Sequence, residues 1–425
     1  MFYSLMRLLY NLLFLVILPF IFLKNLWRSR LSIGYRKRNL ERLGFCPFKL
    51  EKPIWIHSVS MGETLAIAPL AKKLIAHYPN SQFLITTMSV TGSEQVKKIY
   101  QDYPQVKHCY LPYDISILLR IFLTRINPSC LIIMETELWP NLLYLCDKRK
   151  IPVMLTNARL SEKSANGYRK IASLTKIMLN QLSLIAVQNQ SDGQRFLALG
   201  LNKHKLQVTG SLKYDIQISQ EVHSQGISLK NTFGQRPVWI TASTHPGEDE
   251  IIIEAHKKIL TQIPNALLIH VPRHPERFDS VYELLTTSFK TTRRSIGESV
   301  SEKTQAYLGD TMGEMMCLFT ASDLAFIGGS LIKRGGHNTL EPAAIALPVL
   351  SGPYTFNFAE ITKTLIDADA LILVNDCQSL ADYVIKLFND QSLRKQLGNN
   401  AFQVVKSNQG ALQKQFDLAC QLINR

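Results

Sequence analysis

Leu324-Ala325-Phe326-Ile327-Gly328-Gly329-Ser330-Leu331-Ile332-Lys333-Arg334-Gly335-Gly336-His337-Asn338-Thr339-Leu340-Glu341 reads as an apolar strand, a glycine-rich loop and the first turn of a helix continuing into Pro342-Ala343-Ala344-Ile345-Ala346-Leu347. Strand, glycine corner and helix in that order form the unit of a doubly wound α/β fold. The corner suits an anionic ligand: glycines let a backbone approach a phosphate, and a helix N-terminus offers unpaired N–H groups at the positive end of its dipole. Lys333 and Arg334 add charge, and Asn338 and Glu341 suit the hydroxyls of a ribose. The spacing is not G-x-G-x-x-G, so an ordinary strand-to-helix turn explains the corner equally well. The flanking chain has to decide.

Short apolar runs alternate with helical patterns on both sides of this unit. The runs begin with Ile54 to Val59, Phe83 to Thr87, Cys109 to Leu111 and Leu131 to Met134, and continue with Val153 to Thr156, Leu184 to Val187 and Gln207 to Thr209. Gln217 to Gln235 is polar with scattered Gly and Ser, and reads as a linker. Alternation resumes with Val238 to Ala242, Ala266 to Val271, Leu324 to Ile327, Val349-Leu350 and Leu371 to Val374. Apolar runs of this kind belong to parallel sheets covered on both faces. The expected organisation is an N-terminal segment at 1–30, a Rossmann-like domain at 31–215, a linker at 216–236 and a second Rossmann-like domain at 237–425, with the two domains facing one cleft. No short-period repeat or low-complexity tract occurs, which excludes a solenoid or a disordered scaffold.

The chain has 425 residues and a formal charge of +15, which asks for an acidic partner. Its N-terminus points to a membrane surface. No acidic residue precedes Glu41, and Arg7, Lys24, Arg28, Arg30, Arg36, Lys37 and Arg38 surround an apolar run from Leu8 to Leu23 interrupted by Asn11 and Pro19. As a helix the run measures roughly 24 Å, short of a ~30 Å hydrocarbon core, so spanning and embedding in one leaflet both remain open. No small-residue cleavage site follows it, so a retained anchor is expected, with the cationic cluster and the bulk of the chain on the cytoplasmic side. The seven cysteines are odd in number and form no C-x-x-C pair, the pattern of reduced thiols rather than of disulfides or zinc.

Candidate chemistry lies in the strand-to-helix loops. Ser60-Met61-Gly62-Glu63 fits a capping box, in which Glu63 only satisfies a backbone N–H; it equally suits a general base, if Met61 and Leu65 desolvate it against the helix dipole. Glu135-Thr136-Glu137 puts two carboxylates at the end of a central strand, which is costly without a function. Asn157-Ala158-Arg159 and Gly210-Ser211-Leu212-Lys213 offer positive partners. In the second half, Thr241-Ala242-Ser243-Thr244-His245-Pro246-Gly247-Glu248 opens a helix, and Pro272-Arg273-His274-Pro275-Glu276-Arg277 supplies arginines suited to phosphate. His57, His245, His274 and His337 lack metal-ligand spacing. Asp367-Ala368-Asp369 resembles a D-x-D but falls away from the other loops, so no metal and no cofactor is expected.

Taken together, Ser60 to Glu63, Glu135 to Asn141, Asn157 to Ser161, Val271 to Phe278, Asp310 to Glu314 and Gly335 to Pro342 resemble the bacterial Kdo transferases of lipopolysaccharide synthesis. The resemblance runs over nearly the whole chain. It implies a metal-independent, inverting GT-B glycosyltransferase that moves Kdo, an eight-carbon acidic keto-sugar, from CMP-Kdo to a phosphorylated lipid A precursor (lipid IVA) at the cytoplasmic face of the inner membrane. On that likeness Glu63 matches the general base, and Glu135 and Lys213 match groups that assist the transition state. Pro272, Arg273, Met312, Gly313, Glu314, Asn338, Thr339, Leu340 and Glu341 match the CMP-binding segments. Glu137, Arg159, Ser243, Gly336 and His337 are further candidates. The rival readings are a membrane-associated GT-B transferase using a UDP-sugar, and a membrane-anchored protein that binds nucleotide or lipid without turnover. Nucleic-acid binding is not expected, since no aromatic-rich basic strand or known module is present.

Overall fold

The computed structural model describes the backbone of residues 2–28, 38–216 and 218–424. Arg30, Arg36 and Lys37 of the basic cluster lie outside the described residues. The chain divides into two compact units, Met1–Asp215 with Gln409–Arg425, and Ile216–Asn408.

The first unit holds a seven-stranded parallel sheet. Its strands are β1 (Ile54–His57), β2 (Phe83–Thr87), β3 (Val106–Tyr110), β4 (Cys130–Met134), β5 (Val153–Ala158), β6 (Leu184–Val187) and β7 (Leu206–Val208). The order is β3-β2-β1-β4-β5-β6-β7. Every residue of β1, β2, β4 and β5 is buried, as helices on both faces require. The order reverses between β1 and β4, which pair from Ile54↔Cys130 to His57↔Ile133. A reversal splays the following loops apart and opens a crevice at the carboxyl ends of the strands.

The second unit repeats the plan with β8 (Val238–Thr244), β9 (Leu267–Pro272), β10 (Thr291–Arg293), β11 (Ala306–Leu308), β12 (Leu324–Ile327), β13 (Val349–Ser351) and β14 (Leu371–Leu373). They run β10-β11-β9-β8-β12-β13-β14, reversing between β8 and β12. β10 and β11 have no counterpart in the sequence reading: each is three residues long, and Thr291-Thr292-Arg293 carries no apolar run.

Two boundaries differ from the sequence reading. The stretch read as a linker contains the helix Gln220–Thr232, which Ser219 caps by accepting from Val222 N–H. Its Gly226 is a packing residue, since a Cβ there would sit 2.4 Å from Thr320 Cβ. The last helix, Ala411–Ile423, belongs to the first unit rather than to the domain expected at 237–425. The Asp215 carboxylate accepts from Gly410 N–H and Leu412 N–H, both at 2.7 Å, and fixes the start of that helix.

The N-terminal segment is a helix, Phe2–Arg28, with Pro19 inside it. Among the described residues no helix is long and apolar enough to cross a membrane, so a spanning anchor at 1–30 is not found. One face of this helix is committed to the domain instead. Arg7 is buried, donates to Asn141 Oδ1 at 3.0 and 3.1 Å, and stacks over the Tyr144 ring at 3.4 Å. Asn11 accepts from Ser116 N–H. Leu8, Leu9, Leu12, Leu13, Val16, Ile17 and Phe20 are exposed. All seven thiols are free.

Candidate active site

The carboxyl ends of β1 and β4, side by side at the first reversal, carry Glu63 and the Glu135–Glu137 segment. Ser60 caps the helix Met61–His77. Glu63 folds back on its own loop, accepting from Val59 N–H at 2.7 Å and from Ser60 Oγ at 2.9 Å. The Ser60 cap is formed, its Oγ accepting from Glu63 N–H at 3.4 Å, but the Glu63 carboxylate reaches Val59 N–H rather than the Ser60 N–H of a capping box. Burial nonetheless raises the Glu63 carboxyl above the usual range, with Glu135 adding to the rise and the bonds from Val59 and Ser60 opposing it. Leu65 is exposed, so it is not the desolvating group expected from sequence.

Glu135 sits at φ +57°, a left-handed conformation that a non-glycine residue adopts only when its surroundings hold it there. Its N–H is paired with Thr156 O at 2.9 Å. Thr136 Oγ1 bonds the backbone of Arg159 on both its N–H and its carbonyl. Beyond the loop, Asp114 accepts from Asn141 N–H at 3.0 Å and Leu142 N–H at 2.9 Å, anchoring the helix Pro140–Lys148. Held at both ends, the loop keeps Glu137 half-buried. Burial and the charges of Glu63 and Glu135 push its carboxyl up to about 7.

Lys213 lies in the turn Leu212–Tyr214, which the side chain of Asn157 holds by accepting from Leu212 N–H at 3.0 Å. Fully buried Gln415, on the last helix, ties the same region together. It accepts from Thr156 Oγ1 and Asn157 N–H, and donates to Thr209 Oγ1 and Gly210 O. Arg159 is exposed.

In the second unit the loops after β11, β9, β8 and β12 line one end of the sheet. Here the glycine corner departs from its sequence reading as a phosphate cradle. The buried Glu248 carboxylate accepts from Gly329 N–H at 2.6 Å, from Ser330 and Leu331 N–H at 2.9 Å, and from His245 N–H at 3.1 Å. The donors expected to meet a ligand are taken by the protein itself. Gly328 answers a different need, because a Cβ there would sit 2.8 Å from the carbonyl oxygen of Ser243, itself at φ +62°. Glu248 was visible in the sequence only as a helix-opening residue.

The groups left for a ligand lie around that corner. The Arg273 guanidinium has no hydrogen-bond partner among the described residues; it acts electrostatically on His245, His337 and Glu341. Arg277 is committed to Asp249 and to Thr244 O. Asn338 donates to Glu341 Oε1 at 3.1 Å and accepts from Leu340 N–H, and burial raises the Glu341 carboxyl. Thr339 Oγ1 is buried without a partner among the described residues. Pro272 ends β9. Met312 is exposed and Gly313 has φ +89°. The Glu314 carboxylate, by contrast, is gripped by Arg294 at 2.8 and 3.1 Å, which leaves only its backbone to a ligand. Gly336 N–H closes the corner on Gly329 O at 2.7 Å. Asp367 of the D-x-D pairs with Lys363.

Residues 37–216 match the family described as 3-Deoxy-D-manno-octulosonic-acid transferase (kdotransferase), and residues 287–404 the one described as Glycosyl transferases group 1. The 3-deoxy-D-manno-octulosonic acid transferase of Haemophilus influenzae is 44% identical over 395 residues, 91% of this chain and 92% of its own. That of Bordetella pertussis is 32% identical over 379 residues, 87% of each chain. Among solved structures, UDP-GlcNAc 2-epimerase from Neisseria meningitidis covers 85% of this chain and 100% of its own at a TM-score of 0.56 and 14% identity, a likeness of fold alone. Two doubly wound units, each with polar loops at its strand reversal and each with a transferase match, define a glycosyltransferase of GT-B class. Within that class, the chain belongs to the 3-deoxy-D-manno-octulosonic acid (Kdo) transferase family.

Proposed function

We propose that this enzyme transfers Kdo from CMP-Kdo to a hydroxyl of a phosphorylated lipid A precursor in lipopolysaccharide core synthesis, with inversion at the anomeric centre. The observation that carries this reading is the gathering of Glu63, Glu135 and Glu137 at the reversal between β1 and β4, with Glu63 and Glu137 raised by burial. A base that must accept a proton near neutrality gains from such a rise. Glu63 removes the proton of the acceptor hydroxyl. The negative charge of Glu135 stabilises the cation-like sugar as CMP leaves, and Lys213 balances charge on the departing phosphate. In the second unit Arg273 takes the phosphate, while Glu341 and Asn338 take the ribose hydroxyls. Pro272, Thr339, Leu340 and the Met312-Gly313-Glu314 backbone complete the nucleotide site.

Donor competition tests the reading: CMP should inhibit transfer and UDP should not. Protection by UDP alone would favour a UDP-sugar transferase, and binding without release of CMP would favour a non-catalytic nucleotide binder.

The acid limb of the kcat/KM profile gives a second test. The base works only when ionised, so activity falls as pH drops through the Glu63 pKa, which burial sets above the ordinary carboxylate range. Glu135→Gln removes a charge that contributes to that rise and should move the limb to lower pH. A limb in the ordinary carboxylate range, unmoved by the substitution, counts against Glu63 as the base.

Attachment is at the cytoplasmic face of the inner membrane, through the N-terminal helix. Its exposed apolar face, Leu8 to Phe20, is supported by the basic residues that follow, which favour anionic lipid. In flotation with anionic vesicles, Leu12→Glu with Val16→Glu should leave the protein in the soluble fraction; undiminished flotation would refute this attachment.

A further inference from the structure

We propose that His245 and His337 form a paired imidazole that takes up one proton when a nucleotide phosphate binds beside it, so that the second negative charge of the departing CMP is matched by the protein. This rests on the donor reading above.

The two Nε2 atoms lie 2.9 Å apart, with the ring planes 9° from parallel. A nitrogen-to-nitrogen contact of that length needs one N–H and one bare nitrogen. The neutral pair therefore holds two protons, one in the bridge and one on a single Nδ1. A third proton fills the other Nδ1 and leaves the bridge intact. The pair can be charged without rearranging, and charging it adds a donor.

The loop is built to hold this pair. A Cβ on Gly329 would meet the His337 ring at 2.9 and 3.0 Å, so only glycine lets the ring lie there. His245 is fixed through its own N–H on Glu248. The charged groups facing the pair are Arg273, His274 and Arg277 from the segment after β9, and Arg334 from the glycine loop. Glu248 and Asp249 open the helix beyond His245, and Glu341 lies in the short helix Leu340–Ala343 that follows the glycine loop. Arg277 is neutralised by Asp249 and Glu248 is saturated by backbone N–H groups, so of these facing guanidinium groups Arg273 and Arg334 are the ones without a partner among the described residues, Arg273 half-buried and Arg334 exposed. Burial, then these cations and the neighbouring histidines, hold both imidazoles below their ordinary range, His337 at about 4. The empty pair is neutral. An anion seated on Arg273 offsets the cations and draws a proton in.

The balance is simple. The bond between the anomeric carbon and the phosphate oxygen breaks, and its electron pair stays on the phosphate, turning a diester monoanion into a monoester dianion. The acceptor oxygen forms the new bond and its proton goes to Glu63. The proton on the histidine pair comes from water and returns to it when CMP leaves.

Calorimetric titration of the full chain with CMP at pH 7, in two buffers of different ionisation enthalpy, counts protons exchanged. The expected result is net proton uptake on CMP binding, bounded at one proton per CMP. Cytidine, which lacks the phosphate, should bind without uptake, and His245→Asn and His337→Asn should bind CMP with the uptake lost. The ligand cannot mimic this, because a phosphate entering a cationic site sheds its residual proton and gives release. CMP binding with no uptake, or with net release, overturns the inference alone, as does equal uptake with cytidine or undiminished uptake in both variants. No CMP binding at all overturns the donor reading and this inference together. The comparison of CMP with cytidine on the unaltered protein decides the matter even if a variant fails to fold.

Discussion

Glu63→Gln is expected to lower kcat/KM by about 10²- to 10⁴-fold, the range a positioned general base contributes, while CMP still binds. The substitution keeps the shape of the side chain and one acceptor oxygen. It removes basicity and replaces the other acceptor by an amide NH₂, which cannot receive a bond from Val59 N–H or Ser60 Oγ. The structural penalty is that of one lost acceptor, roughly 1–3 kcal/mol. Because Glu63 both caps its helix and is raised by burial, rate and melting temperature must be read together. Ser60→Ala supplies the control, since it breaks the same cap and leaves the carboxylate. A rate that collapses for Glu63→Gln but survives in Ser60→Ala at comparable Tm identifies the base. Rates that fall in proportion to Tm in both variants reduce Glu63 to a cap.

Glu248→Ala is expected to unfold the second unit or bring it close to unfolding. The carboxylate satisfies four backbone N–H groups, those of His245, Gly329, Ser330 and Leu331, in a fully buried position. Stranding several buried donors at once costs on the order of 5 kcal/mol, comparable to the whole stability of a domain. Urea denaturation followed at Trp239, which is buried in the core of this unit, measures the loss. A loss under about 1 kcal/mol, too small for even one stranded buried donor, together with phosphate binding gained at the freed N–H groups, would return the corner to its original reading as an anion cradle.

The alternation of apolar runs made the two sheets legible, because strands covered on both faces leave little besides apolar residues in the sequence. β10 escaped because a three-residue edge strand needs only backbone pairing, and Thr291-Thr292-Arg293 meets that need with polar side chains; β11, paired on both sides and buried, escaped because Ala306-Tyr307-Leu308 is too short an apolar run to stand out. Gly226 looked like linker glycine, but glycine is required wherever two helices approach closely. Nothing in Ala411–Ile423 announces which unit it joins; that choice is made by long-range bonds from Gln415 and Asp215, 195 or more residues distant in sequence. Glu135 was legible as a candidate because carboxylates at the end of a central strand are costly without a function, and Glu63 and Arg273 because each follows a strand at the carboxyl end of a sheet, although a cap explains Glu63 equally well. Glu248 was not. A carboxylate that neutralises a loop and one that binds a ligand have the same appearance in sequence, and only the partners tell them apart.

Mass spectrometry of the lipid made by the purified protein from CMP-Kdo and the phosphorylated lipid A precursor decides whether this chain carries out Kdo transfer. The expected product is a lipid heavier by Kdo, formed without added metal and about 10²- to 10⁴-fold more slowly with Glu63→Gln. An unmodified lipid with CMP-Kdo, together with a glycosylated one when a UDP-sugar is supplied, would contradict it.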